Sequence, residues 1–199
     1  MCGIGGVVNL TGEKIPNLQK RSELMLDDLE HRGPDGKGCW INSKRNIMIC
    51  NTRLAIVDPL YDIKVPLVLN NKVLSFNGEI YDYIEQKNRL SRLGCRLVSK
   101  CDSEVLMHGL SLEGEDFLEK IDGMWSLAFY DEEKKSLLIS RDLLGERQLF
   151  YTQINNLFFF NILPQKLIVF LRKFLKILNM TFILLSLLFN IDHVNQEKL

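Results

Sequence analysis

The second residue of the chain is a cysteine, in Met1-Cys2-Gly3-Ile4. Once Met1 is removed, Cys2 carries a thiol and a free α-amino group on one carbon skeleton. The thiolate is the nucleophilic form, and an α-amine with a pKa of roughly 7.7 to 8.0 can take or return a proton near neutral pH. Nucleophile and base then share one residue, although a second-position Cys also reads as an incidental small residue. A second candidate is Phe76-Asn77-Gly78-Glu79-Ile80-Tyr81, placed where a β-type run meets a helix. Asn-Gly is a common turn signal. Alternatively, the Asn77 side-chain amide and the Gly78 N–H point at one spot and hold a developing oxyanion, glycine letting the backbone come close.

Other residues offer charge. Arg53, ahead of Leu54-Ala55-Ile56-Val57, is either a surface cation or a fork for a carboxylate. Asp102 opens a helical stretch and reads as an N-cap or as a binding carboxylate. Arg32 and Asp35 flank the turn Gly33-Pro34 and admit an intraloop ion pair. His31, His108 and His193 have no metal-ligand spacing with the cysteines, so no metal site is expected.

The elements that must position these groups follow from periodicity. Residues 4–10 read as a buried strand and 16–29 as an amphipathic helix closed by the Pro-Asp-Gly turn. Residues 47–51, 54–57 and 73–76 are short β-type runs, 81–93 and 102–110 are helices, and 124–130, 137–140 and 149–151 are strands, with 131–135 as a hairpin turn. Many strands beside a few helices predict α+β layering and not a parallel, doubly wound sheet. The 199 residues suit one domain, and 25 basic against 25 acidic residues argue against a nucleic-acid binder. Five cysteines without a C-x-x-C pair suggest neither a disulfide framework nor a zinc ribbon, and a cytoplasmic location fits.

Composition changes near residue 158. Asp and Glu are absent between Arg147 and Ile191, and 157–189 holds 23 apolar residues of 33, including seven of the eleven Phe. The expectation is a domain over 1–157 followed by an aberrant apolar tail, 158–199, produced by frame disruption or truncation. Its longest apolar stretch, 177–189, is short against the roughly 20 residues of a spanning helix. Recruitment to a membrane surface would rest on composition alone.

Taken together and in order, the motifs are specific. Met1-Cys2-Gly3-Ile4, His31-Arg32-Gly33-Pro34-Asp35-Gly36, Arg53-Leu54-Ala55-Ile56-Val57-Asp58, Phe76-Asn77-Gly78-Glu79-Ile80-Tyr81, Cys101-Asp102-Ser103-Glu104-Val105 and Arg141-Asp142-Leu143-Leu144-Gly145 resemble the class II glutamine amidotransferase domain of glutamine-hydrolysing asparagine synthetases. The resemblance covers 1–157. It implies a four-layer αββα sandwich of antiparallel sheets, the N-terminal-nucleophile hydrolase fold, here incomplete at its C-terminal end. It implies that Cys2 attacks the side-chain amide of L-glutamine, that Asn77 and Gly78 form the oxyanion hole, and that Arg53 holds the substrate carboxylate. Asp102 and Glu79 would hold its ammonium, and the backbone of Leu54, Ala55, Ile56 and Val57 would line the pocket.

This half-reaction needs no metal or organic cofactor; ATP and Mg would serve a synthetase domain. Gln148 stands where the family usually has proline, which leaves the pocket alone. The larger departure is that the Ser-Glu-Ile-Lys-like segment, the last strands of the sandwich and the synthetase domain with its Ser-Gly-Gly-x-Asp-Ser loop are missing. Two readings stay open: a glutaminase domain, alone or paired with a synthetase in trans, and an inactive fragment with unpaired sheet edges.

Overall fold

The computed structural model describes residues 1–56, 63–175, 189–190 and 195–198. Its organising elements are two antiparallel sheets. The first runs β10 (Phe189–Asn190), β8 (Phe150–Ile154), β9 (Leu157–Asn161), β1 (Gly3–Asn9), β3 (Ile47–Arg53), β2 (Gly36–Ile41). The second runs β11 (Asn195–Lys198), β7 (Ser136–Arg141), β6 (Gly123–Asp131), β5 (Lys72–Ile80), β4 (Leu67–Leu69). Helices α1 (Leu18–Leu29) and α4 (Pro164–Leu175) pack together on the outer face of the first sheet, and α2 (Tyr83–Arg92) and α3 (Asp102–Glu113) cover the second. The α+β expectation and the layer order α, β, β, α both hold.

Period-two alternation explains the two cores. On the second sheet Val73, Ala128, Tyr130, Leu137 and Ile139 turn inward to the first sheet, while Leu74, Phe76, Leu127, Phe129 and Leu138 turn outward to α3 and its neighbours. Where the sheets meet near the site, polar side chains join them. Ser75 Oγ donates to Cys50 O at 3.2 Å, Phe76 N donates to Asn51 Oδ1 at 3.4 Å, and Asn51 Nδ2 donates to Gly3 O at 2.8 Å.

Several expectations need correction. The change of composition near residue 158 is not a change of fold, because β9 lies beside β1 in the middle of the first sheet. Phe158, Phe159 and Phe160 are all fully buried, so β9 is covered on both faces; Phe159 meets Phe170 of α4 edge to face at 6.4 Å. A strand buried on both faces reads as an unbroken apolar run, which composition alone does not distinguish from low complexity. The strands expected to be missing are thus supplied in part by β9, with α4 behind it, and β10 and β11 pair with β8 and β7 at the far ends of the sheets. The stretch 177–188 lies outside the described residues.

Residues 54–56 are not a strand: the chain leaves the sheet after Arg53 and turns its N–H groups to side chains. The strands β2 and β4 lie outside the β-type runs read from the sequence. Cys39 and Cys50, directly opposed in the β2–β3 pair, are joined as a disulfide with a Cα–Cα distance of 4.0 Å. Sequence spacing gives no hint of it, since cross-strand register alone brings such residues within about 4.5 to 5.5 Å.

Candidate active site

The N-terminal strand carries Cys2 to the end of the first sheet, where β3 ends. Cys2 Sγ accepts a hydrogen bond from Leu54 N at 3.4 Å and lies 3.8 Å from Leu54 O. Leu54 can serve in this way because its segment is held from behind. Asp35 Oδ2 accepts the Ala55 N–H at 2.8 Å, and Asp35 N donates to Arg53 O at 3.0 Å. Gly33 is required at the same place: a Cβ there would lie 2.6 Å from the Arg53 backbone. The Arg-Gly-Pro-Asp turn therefore shapes the backbone under the thiol, and its acid bonds that backbone instead of forming the intraloop ion pair.

Beside Cys2 opens a pocket of about 90 Å³. A water needs roughly 10–15 Å³ of such space, so the volume suits a small molecule and not a polymer segment. Arg53, Leu54 and Ile56 line one side, Asn77, Gly78 and Glu79 another, and Asp102 and Cys101 a third. Ala55 is not in the wall, and Val57 lies outside the described residues.

The geometry of β5 explains why Asn-Gly sits here. It is not a turn: both residues lie within the strand, paired as Asn77 with Ser126 and Gly78 with Trp125. Trp125 N and O are both bonded to Asp142, its N to Asp142 Oδ2 at 3.2 Å and its O by Asp142 N at 2.8 Å. Gly78 and Trp125 are therefore a non-hydrogen-bonded pair, and the N–H groups of Phe76, Gly78 and Ile80 all turn away from β6. Two of the three meet side chains: Phe76 N donates to Asn51 Oδ1, and Ile80 N donates to Asp102 Oδ2 at 3.2 Å. The short β4 pairs only with Lys72, Val73 and Leu74, so it stops before this edge. The Gly78 N–H lies between the two capped ones and faces the pocket. A Cβ at Gly78 would overlap the Met124 carbonyl oxygen.

Asn77 is buried and its Nδ2 donates to Ser126 Oγ at 3.2 Å. An amide nitrogen has two donors, and Asn77 is also part of the pocket wall. Asp102 is the first residue of α3 and not its N-cap; its Oδ1 accepts from Ser103 N at 2.8 Å while Oδ2 takes Ile80 N. Burial pushes its carboxyl up to about 6, against the hydrogen bonds from Ile80 and Ser103 and with help from the Glu79 charge. Burial also raises the Cys2 thiol, opposed by the Leu54 N–H and the neighbouring N-terminal amine. The amine on Met1 is itself lowered by burial.

Three side chains to which the sequence alone assigns no role complete the site, two of them outside its motifs and the third, Asp142, inside one. Asn51 ties β1, β3 and β5 together; a polar residue ending the run Ile47-Met48-Ile49-Cys50 is the signal for it. Ser126 orients Asn77. Asp142 accepts from Glu146 N at 2.9 Å and Arg147 N at 3.0 Å as well as from Trp125, which explains the Arg-Asp-x-x-Gly motif as a loop clamp. Gly145, at φ 69°, makes the turn inside that clamp. Among the described residues, no group of three or more His, Cys, Asp or Glu could hold a metal ion, and no helix is long and apolar enough to cross a membrane.

Comparison with known proteins gives this arrangement a lineage. A family model described as a glutamine amidotransferase domain matches residues 1–174, beyond the compositional change at 158. Asparagine synthetase [glutamine-hydrolyzing] 3 of Bacillus subtilis is 30% identical over 164 residues, 80% of this chain and 26% of that protein. Asparagine synthetase [glutamine-hydrolyzing] 2 of Oryza sativa subsp. japonica is 36% identical over 149 residues, 73% of this chain and 24% of that protein. The chain thus spans about a quarter of the length of the curated relatives it matches. The glutamine phosphoribosylpyrophosphate amidotransferase of B. subtilis, solved with ADP and GMP, has the same fold, with a TM-score of 0.68 at 17% identity over 99% of this chain and 49% of that one. By sequence and by fold, the chain belongs to the class II glutamine amidotransferase domain family, related to the N-terminal domain of asparagine synthetases.

Proposed function

We propose that this chain hydrolyses L-glutamine to glutamate and ammonia through a thioester on Cys2, as the glutaminase half of an asparagine synthetase-like enzyme. The observation that carries the reading is the convergence on one small pocket of a thiol, a guanidinium, a carboxylate and an outward-facing Gly78 N–H. Glutamine has one carboxylate and one ammonium. Arg53 is the fork for the first, and Asp102 with Glu79 supplies negative charge for the second.

Burial keeps the Cys2 thiol protonated at neutral pH, so attack needs a base beside it. Removing Met1 puts the free α-amine on Cys2 itself, where it accepts the thiol proton as sulfur bonds to the amide carbon. The Asn77 amide and the Gly78 N–H receive the charge that grows on the amide oxygen. The protonated amine then returns its proton to the departing nitrogen, ammonia leaves, and water attacks the thioester to give glutamate and the free thiol. Ammonia is consumed by ATP- and Mg-dependent amidation in a synthetase part, carried by another chain or by the same polypeptide.

Intact mass of the purified chain before and after a glutamine-like electrophile tests the reading. Loss of Met1 and one adduct, suppressed by glutamine and absent in Cys2→Ser, is the expected result. Loss of Met1 without an adduct would leave an unassembled site and favour the inactive fragment.

A further inference from the structure

Next to the glutamine pocket, and sharing Met1, Asn77 and Arg147 with it, lies a second cleft of about 170 Å³. Two guanidinium groups line it: Arg32, from the 3-10 turn Glu30–Arg32, and Arg147, from the loop that Asp142 clamps. Both point at one atom. Arg32 Nη2 lies 3.7 Å and Arg147 Nη1 3.0 Å from Met1 Sδ. A thioether is a weak acceptor, and among the described residues neither arginine forms an ion pair. Each also has a buried Nε without a hydrogen-bond partner. Arg32 is held below the usual guanidinium range by burial and by the charge of Arg147. Bringing two like charges together, partly out of water, with a sulfur atom between them is unfavourable unless something else supplies the negative charge.

We propose that Arg32 and Arg147 form an anion-binding site for a small organic acid or phosphate monoester. Removal of Met1 completes it by taking away the thioether that occupies both forks. Asn77 and Gln148 offer amide donors at the same cleft, and Ile162 and Leu163 give it an apolar wall, which suits a ligand with a carbon body behind its charged group. Glu146 stands on the exposed rim and disfavours a second negative charge there, so the ligand presents one anionic end. The shared Asn77 wall places an occupant directly beside the glutamine pocket. The site stands on these groups alone, independent of whether Cys2 turns over glutamine.

The test is thermal melting of the full chain beginning at Cys2, its mass verified, in propionate or in inorganic phosphate against chloride at equal ionic strength. A ligand at about 100 times its Kd raises the midpoint by about 5–10 °C for a domain of this size. The rise is expected with at least one probe, to be lost in Arg147→Gln and in Arg32→Gln, and to persist in Arg53→Gln. A response to propionate alone identifies a carboxylate ligand and a response to phosphate alone a phosphorylated one. No rise above chloride, a rise unchanged in both arginine variants, or its loss in Arg53→Gln would overturn the proposal. Should one variant fail to show a cooperative melt in chloride, the other decides.

Discussion

Asp102 allows the electrostatics of the pocket to be tested by titration. Its carboxyl sits at about 6, because burial outweighs the two N–H groups that favour the ionised form. An unfolded aspartate titrates near 3.9, so the folded state binds this proton more tightly by roughly two pH units, or about 3 kcal/mol. The sign follows from proton counting. Between about pH 4 and pH 6 the folded state carries more protons than the unfolded state, so stability falls as pH rises through that window and the loss is complete above it. Asp102→Asn removes the titrating group. Urea denaturation in a Cys2→Ser background, unable to turn over substrate, should therefore show the chain with Asp102 losing about 2 kcal/mol more than the Asp102→Asn variant between about pH 4 and about pH 7. Glutamine adds a second arm. Its ammonium favours the carboxylate, so saturating glutamine should stabilise the chain with Asp102 more at about pH 7 than at about pH 5. Identical pH profiles for the two chains would refute the burial argument. Equal stabilisation by glutamine at both pH values would refute Asp102 as the partner of the ammonium.

Other expected outcomes concern catalysis and the fold. Asn77→Ala should lower glutaminase kcat by about 10² to 10³, measured by glutamate release, if its amide holds the oxyanion. Arg53→Ala should raise the KM for glutamine with much less effect on kcat, since the lost fork binds a group that does not react. Phe159→Ala should cost about 3–5 kcal/mol in denaturant unfolding, because the ring is fully buried against α4. Ending the chain at residue 157 should leave no cooperative transition at all, since β1 would lose its β9 neighbour along with three buried Phe.

The two groups of elements are unequally legible. The helices at 81–93 and 102–110 and the hairpin about 131–135 stand within a few residues of their expected places, because the Gly94 stop, the amphipathic spacing of 81–93 and the polar turn residues at 131–135 are local signals. Residues 54–57 mislead because Leu-Ala-Ile-Val has β-type composition, whereas Leu54 and Ala55 bond to Cys2 and Asp35, which are remote in sequence. β9 misleads in the opposite way: its Phe run is uninformative until β1 and α4 are seen on either side.

What the sequence determined by itself was lineage and an inventory of side chains: a cysteine next to the N-terminus, an Asn-Gly on a β run, one guanidinium and two carboxylates, in an order specific to one family. Only the tertiary structure decided how these groups are held. Asp142 occupies the backbone of Trp125, β4 stops short, and so the Gly78 N–H is turned into the pocket instead of into a ladder. The reason is general to sheets: which N–H groups are free depends on register and on which neighbouring strand ends first, and neither is written in the residues that carry the chemistry.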